Sequence, residues 1–112
     1  MSSAIKLLLK NLVLMIVSSK FTEIVARGEN GRLSASEIEG AIKDYPGAIT
    51  IPPESAYDSA YVYDVYDNNT QAQKIEFDLW YDDEASDLTL SVDVHKDEKG
   101  EFVIMIDDIH VL

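Results

Sequence analysis

The chain has 112 residues, no cysteine, 46% hydrophobic residues and a formal net charge of −12. That length allows one domain, residues 1–112, with one modest core, and the apolar content argues against disorder. The missing cysteines exclude disulfides, thiolate zinc sites and cysteine nucleophiles, and they suit the reducing cytoplasm in which the protein is expected to act. Charge is unevenly divided, with five bases against two acids in residues 1–32 and four bases against 19 acids in residues 33–112.

Ser2 or Ser3 can cap a first helix from about Ala4 to Ala26. Ile5, Leu8, Leu9, Leu12 and Ile16 share one face, and Phe21, Ile24 and Val25 extend it. Leu7, Val13, Leu14 and Val17 widen the apolar arc, so this helix should carry the sheet, and it offers a surface for a homodimer. Lys10 and Asn11 interrupt the apolar run, which falls short of the roughly 20 residues of a membrane span. Val17-Ser18-Ser19-Lys20 is a poor cleavage site, so a secretion signal is not expected either. Gly28 and Gly31 end the segment. Ser34 and Glu37 form a capping box for a second helix with Ile38 and Ile42 inward, stopped by Tyr45-Pro46-Gly47.

After this the period changes to two. Ala48 to Ile51, ended by Pro52-Pro53, reads as an edge piece or rigid connector. Ala60 to Tyr66 alternates, and Asp67-Asn68-Asn69 reads as a turn. Gln73, Ile75, Phe77, Leu79 and Tyr81 alternate with Lys74, Glu76, Asp78 and Trp80. Beyond an acidic loop, Asp82 to Ser86, Leu88, Leu90, Val92 and Val94 alternate with Asp87, Thr89, Ser91 and Asp93. Lys96 to Gly100 is a hairpin loop, and Phe102, Ile104 and Ile106 begin the last strand. The fold expected is α+β, with two N-terminal helices packed on one face of an antiparallel meander of about four strands.

Alternation places Glu76, Asp78, Trp80, Asp87 and Asp93 on the face away from the helices. An exposed Trp80 among carboxylates would anchor a Lys- or Arg-rich partner through packing and cation–π contact. The alternative is that Trp80 covers a small second core with Met105 and Val103. Tyr57, Tyr61, Tyr63 and Tyr66, interleaved with Asp58, Asp64 and Asp67, read either as a protein-recognition strip or, for Tyr61 and Tyr63, as inward strand residues. The candidate partner-binding residues are Asp78, Trp80, Asp82, Asp83, Glu84 and Asp87, with Tyr63 and Asp64 as a second patch.

Other chemistry finds little support. His95 and His110 are the only histidines, and Asp107-Asp108-Ile109-His110 lacks the spacing of a metal set. Asp82, Asp83, Glu84 and Asp87 match a calcium loop in composition alone, without its spacing or glycine. No nucleotide-binding glycine motif or nucleophile elbow occurs. The chain is therefore read as no enzyme, with no cofactor and no metal, and its charge disfavours nucleic acid and membrane as partners.

Asp78-Leu79-Trp80, Ser86-Asp87-Leu88-Thr89-Leu90 and Asp107-Asp108-Ile109-His110-Val111 resemble a family of small bacterial domains of unassigned function. The Leu33-Ser34 helix start and Pro52-Pro53 also fit, so the resemblance covers roughly residues 30–112. A glycine usual between Trp80 and Ser86 is absent here, where Tyr81 to Ala85 stand. The resemblance implies no catalytic residue. In size and charge the chain is also similar in type to the immunity proteins of contact-dependent growth inhibition systems, though no diagnostic motif carries that likeness. The function expected is that of an immunity protein or antitoxin binding and neutralising a cationic toxin domain, a nuclease in the first instance. The alternative is an acidic interaction module, an adaptor or regulatory subunit, unrelated to toxins.

Overall fold

The computed structural model describes residues 1–67 and 70–112, with the side chains of residues 66–71 excepted. The expected turn at Asn68-Asn69 lies outside the described residues. Among the described residues, three helices, α1 (Ser3–Val17), α2 (Phe21–Ala26) and α3 (Ala35–Asp44), precede a short 3-10 helix, Glu54–Ser59. Four strands follow: β1 (Tyr61–Asp67), β2 (Thr70–Tyr81), β3 (Glu84–Lys96) and β4 (Phe102–Val111). They form one antiparallel sheet in the order β1-β2-β3-β4. The architecture is the α+β arrangement expected from the change of period.

The first helix is not continuous over residues 4–26. Ser18 caps α1, Ser19 takes a left-handed conformation at φ 59°, and the Lys20 N–H turns back to the Met15 carbonyl. Two adjacent serines are poor helix formers because their hydroxyls compete for backbone groups. The break lets Phe21 and Ile24 aim at the same core as Leu9, Leu12, Val13 and Ile16, all of them buried. Most of the apolar arc of α1 is thus consumed inside the chain, with Leu7 left 58% exposed.

The Ser34 and Glu37 capping box is complete, side chain to backbone in both directions, a feature worth about 1 kcal/mol. Ile38 and Ile42 of α3 are buried against the inner sheet face, formed by Ile75, Phe77, Leu79, Tyr81, Leu88, Leu90, Val92, Val94, Ile104 and Ile106. Tyr57, brought in by the 3-10 helix, stacks on Phe77 with ring centroids 4.9 Å apart. It is 2% exposed, so it belongs to the core and not to a surface strip. Burial pushes its hydroxyl up to about 12.

Two irregularities re-aim side chains. On β2, Leu79 alone faces Ser86, Asp87 and Leu88, because the register passes from Asp78↔Thr89 to Trp80↔Ala85. The Ser86 hydroxyl closes that gap, donating to the Leu79 carbonyl at 2.6 Å and accepting from the Leu88 N–H at 3.1 Å. On β4, Asp107 is extra between the pairs Val92↔Ile106 and Ser91↔Asp108, which lets Ile109 return to the core three residues after Ile106. The loop after α2 lies along this edge. The Ile106 N–H donates to the Glu29 carbonyl at 2.8 Å, and Gly31, at φ 58°, sits against the Ile106 carbonyl where a Cβ would collide.

Candidate protein-binding site

The β2–β3 connection is shorter than the sequence suggests. Only Asp82 and Asp83 form the turn, both left-handed at φ 51° and 63°, while Glu84, Ala85 and Ser86 already belong to β3. Two successive positive φ angles give the tight hairpin turn whose twist matches that of the flanking strands. Aspartate tolerates this conformation because its short side chain can bond locally. Here Asp82 bonds to the segment that leaves α3: its carboxylate accepts from the Ala48 N–H at 3.1 Å, and its N–H donates to the Ala48 carbonyl at 2.8 Å. The Asp83 N–H donates to the Thr50 hydroxyl at 3.0 Å, and the Thr50 N–H donates to the Trp80 carbonyl at 2.8 Å. Gly47 permits the approach, since a Cβ there would stand 2.5 Å from Asp82 Oδ2. The hairpin tip and the end of α3 are therefore strapped together.

Asp87 joins this end from the strand irregularity. Simple alternation sends it outward beside Asp78, but the extra residues of β3 turn it toward the helices, where it accepts a hydrogen bond from the Tyr45 hydroxyl. That bond holds the Tyr45 hydroxyl above its usual range. The Tyr45 ring rests on Tyr81 with centroids 4.6 Å apart, and the Tyr81 hydroxyl donates to the Ile42 carbonyl at 2.6 Å, in the last turn of α3. Burial, with the neighbouring Tyr45 adding to it, pushes the Tyr81 hydroxyl up to about 12. Asp44 ends α3 and is exposed. Asp44, Asp82, Asp83, Glu84 and Asp87 thus meet at one end of the molecule.

The charge of this end is uncompensated. Among the described residues, seven of the nine bases stand in ion pairs with other acids: Lys6 and Lys10 with Glu54, Lys20 with Glu23, Arg27 with Glu29, Arg32 and Lys74 with Asp107, and Lys43, although it adjoins Asp44 in the last turn of α3, with Glu39. No base pairs with Asp44, Asp82, Asp83, Glu84 or Asp87 among the described residues. The outer sheet face is different. Lys74 sits on it, 2.7 Å from Asp107 and 3.3 Å from Asp93, Glu76 accepts from the Tyr63 hydroxyl at 3.3 Å, and Asp78 accepts from the Thr89 hydroxyl at 3.3 Å. Thr89 and Ser91 point outward yet are covered by their neighbours, at 0% and 3% exposure. The carboxylates of the outer face are thus drawn into ion pairs and hydrogen bonds, whereas the side chains of Asp83 and Glu84 at its edge have neither among the described residues.

The candidates from sequence divide accordingly. Asp82, Asp83 and Glu84 share the acidic end with Asp87, whereas Asp78 and Trp80 lie on the outer face beside it. Trp80 is half-buried, and it pairs with Ala85 while Met105 pairs with Asp93. Those positions are separated by roughly 20 Å along β2, where Lys74 is the partner of Asp93, so no second core links Trp80 to Met105 and Val103. Tyr63 and Asp64 do not form one patch. Tyr63 faces outward with Tyr61, and Asp64 points the other way beside Gln73, whose amide lies 3.3 Å from it. Tyr61 and Tyr63 are outer-face residues and not inward ones, Tyr61 being 66% exposed.

Sequence reading missed Asp44 and Tyr45. A signal existed for Asp44: a carboxylate in the last helical turn opposes the negative end of the helix dipole, a position where cations are favoured. His110 Nδ1 lies 3.2 Å from Asp108 Oδ2 on β4. Among the described residues no three metal-ligating side chains converge, and no helix is long and apolar enough to cross a membrane.

Searches of curated proteins and of solved structures returned no match. Residues 13–112 match the family described as a domain of unknown function, DUF7668. The match begins inside α1 and so extends beyond the C-terminal pattern read from sequence. The chain belongs to this family of unassigned function.

Proposed function

We propose that this protein is a binding domain that masks a cationic protein, its acidic end steering the encounter, and that its target is a basic toxin domain such as a nuclease. The observation that supports this most is the gathering of Asp44, Asp82, Asp83, Glu84 and Asp87 at one end without a Lys or Arg partner among the described residues. Five carboxylates held together repel one another, so an opposing cationic surface gains both attraction and relief of that repulsion. A surface of this kind raises association rates, and apolar contacts slow release. Trp80, half-buried on the adjoining face, offers such a contact. A nuclease cleft built for phosphates would meet the acidic end as it meets a nucleic-acid backbone.

Co-expression with the product of the neighbouring reading frame tests the proposal. Protection from a toxic product, lost on reversing Asp83 and Glu84 to lysine, is the expected result. Binding without toxicity points to the adaptor or regulatory reading. Neither toxicity nor binding overturns both.

A further inference from the structure

Behind the hairpin tip lies an open cleft of about 500 Å³, lined by Ala41, Asp44, Tyr45, Pro46, Asp87, Leu88 and Val111. Its walls are of two kinds. Ala41, Pro46, Leu88 and Val111 supply short apolar surface, whereas Asp44 and Asp87 supply carboxylates and Tyr45 an aromatic ring with a hydroxyl. The cleft also opens where α3 ends, and a helix C-terminus carries partial negative charge. The two charged side chains of the lining and the helix end carry the same sign. An anionic or phosphorylated ligand is therefore disfavoured, and a cation with an aliphatic stem is the complementary occupant.

We infer that this cleft receives a lysine or arginine side chain from the protein partner, its stem against Leu88 and Val111 and its charge between Asp44 and Asp87. The inference rests on the proposed binding of a cationic protein and names the place where that partner is gripped. The geometry is prepared in advance. Tyr45 is fixed on both sides, by its tilted ring contact with Tyr81 and by donation to Asp87 Oδ1, so Asp87 Oδ2 remains to accept from the incoming group. Tyr81 is in turn anchored on the Ile42 carbonyl at 2.6 Å. A cation entering here loses little rotamer freedom on the protein side, which is how preorganised sites gain affinity. The ring of Tyr45 adds a face on which an alkylammonium or guanidinium group can rest.

The test is an amide NMR titration of the full chain with an acetylated tetralysine peptide, alongside the same peptide bearing acetyl-lysines. The expected result is saturable shifts at Ala41, Tyr45, Leu88 and Val111, absent with the acetyl-lysine peptide. The double variant D44N/D87N should weaken binding about tenfold or more at an unchanged melting temperature, because asparagine still accepts from Tyr45. Should D44N/D87N bind as the parent does while D83N/E84Q does not, the cleft is overturned and the broader reading stands. Should neither double variant matter, or the parent not bind, both fall. Spermidine giving the same shifts at equal affinity would overturn a protein side chain as the occupant.

Discussion

The two hairpins at opposite ends of β3 both carry clustered acids, and they use them differently. At the β3–β4 tip, Asp97 Oδ1 accepts from the Lys99 and Glu101 N–H groups, each at 2.9 Å, and Gly100 closes the turn at φ 80°. Lys96 lies 5.2 Å over the Phe102 ring, and the two lysines stand among three acids, Asp97, Glu98 and Glu101. There an acid builds the turn, and two lysines in the same loop leave three acids with a net charge of only −1. At the β2–β3 tip, Asp82 is likewise engaged with backbone, but Asp83 and Glu84 are left exposed with no base in the turn, and Asp44 and Asp87 add to them. Acidic residues are thus cheap to explain where they organise a loop. They call for a partner where they accumulate unopposed.

Substitutions at the two tips, and in the strand between them, separate the two roles. The largest effect is expected from Leu90→Ala, in the strand that both hairpins share. Leu90 is fully buried, so a loss of about 2–5 kcal/mol should appear in chemical denaturation and both ends should loosen together. Gly47→Ala should cost about 2 kcal/mol, since φ is 99° and Asp82 occupies the space. Gly100→Ala, also left-handed but with open space around it, should cost about 1 kcal/mol. Equal losses in thermal melts would mean that the strap on the acidic end adds nothing. Asp97→Ala should cost about 1 kcal/mol through its two hydrogen bonds and leave affinity for a cationic peptide unchanged. The smallest stability effect, within about 0.5 kcal/mol, belongs to D83N/E84Q, which should instead weaken that affinity and flatten its salt dependence.

A pH scan probes the same contrast. Tyr81, beside the acidic end, titrates near 10 when unfolded and is pushed up to about 12 when folded. Its contribution is fully present below pH 10 and is lost as pH rises toward 12. Hydrogen exchange or denaturation over that window should show the loss, and Tyr81→Phe should reduce its Tyr81 share, leaving the share of Tyr57, which is raised for the same reason.

The helix starts, the strand sequence and the inward set of β2 and β3 were legible because capping boxes and two-residue alternation are local signals. What escaped the sequence came from backbone departures that no periodicity encodes. Ser19 in a left-handed conformation split the first helix, and two left-handed aspartates shortened an expected five-residue loop to a two-residue turn. The extra residues opposite Leu79 sent Asp87 to the helix side, where alternation assigned it outward. Tyr57 entered the core by way of a 3-10 helix that carries no repeating pattern. The acidic character of the site and four of its five carboxylates, Asp82, Asp83, Glu84 and Asp87, were therefore readable, whereas Asp44 was not, because it joins them only in three dimensions.

The strip of backbone laid along β4 by Glu29 and Gly31 has a bearing on how the molecule behaves when crowded. A sheet recruits further strands through its flanks, and stacking into filaments needs two flanks open to addition. One flank here is already occupied at Ile106, so an incoming strand would have to peel that loop away before pairing. The flank at β1 remains the cheaper place for addition, and growth from one side alone ends in a pair of molecules. The same few residues that finish a loop thereby make strand addition at that point of β4 costlier than it would be on a bare edge.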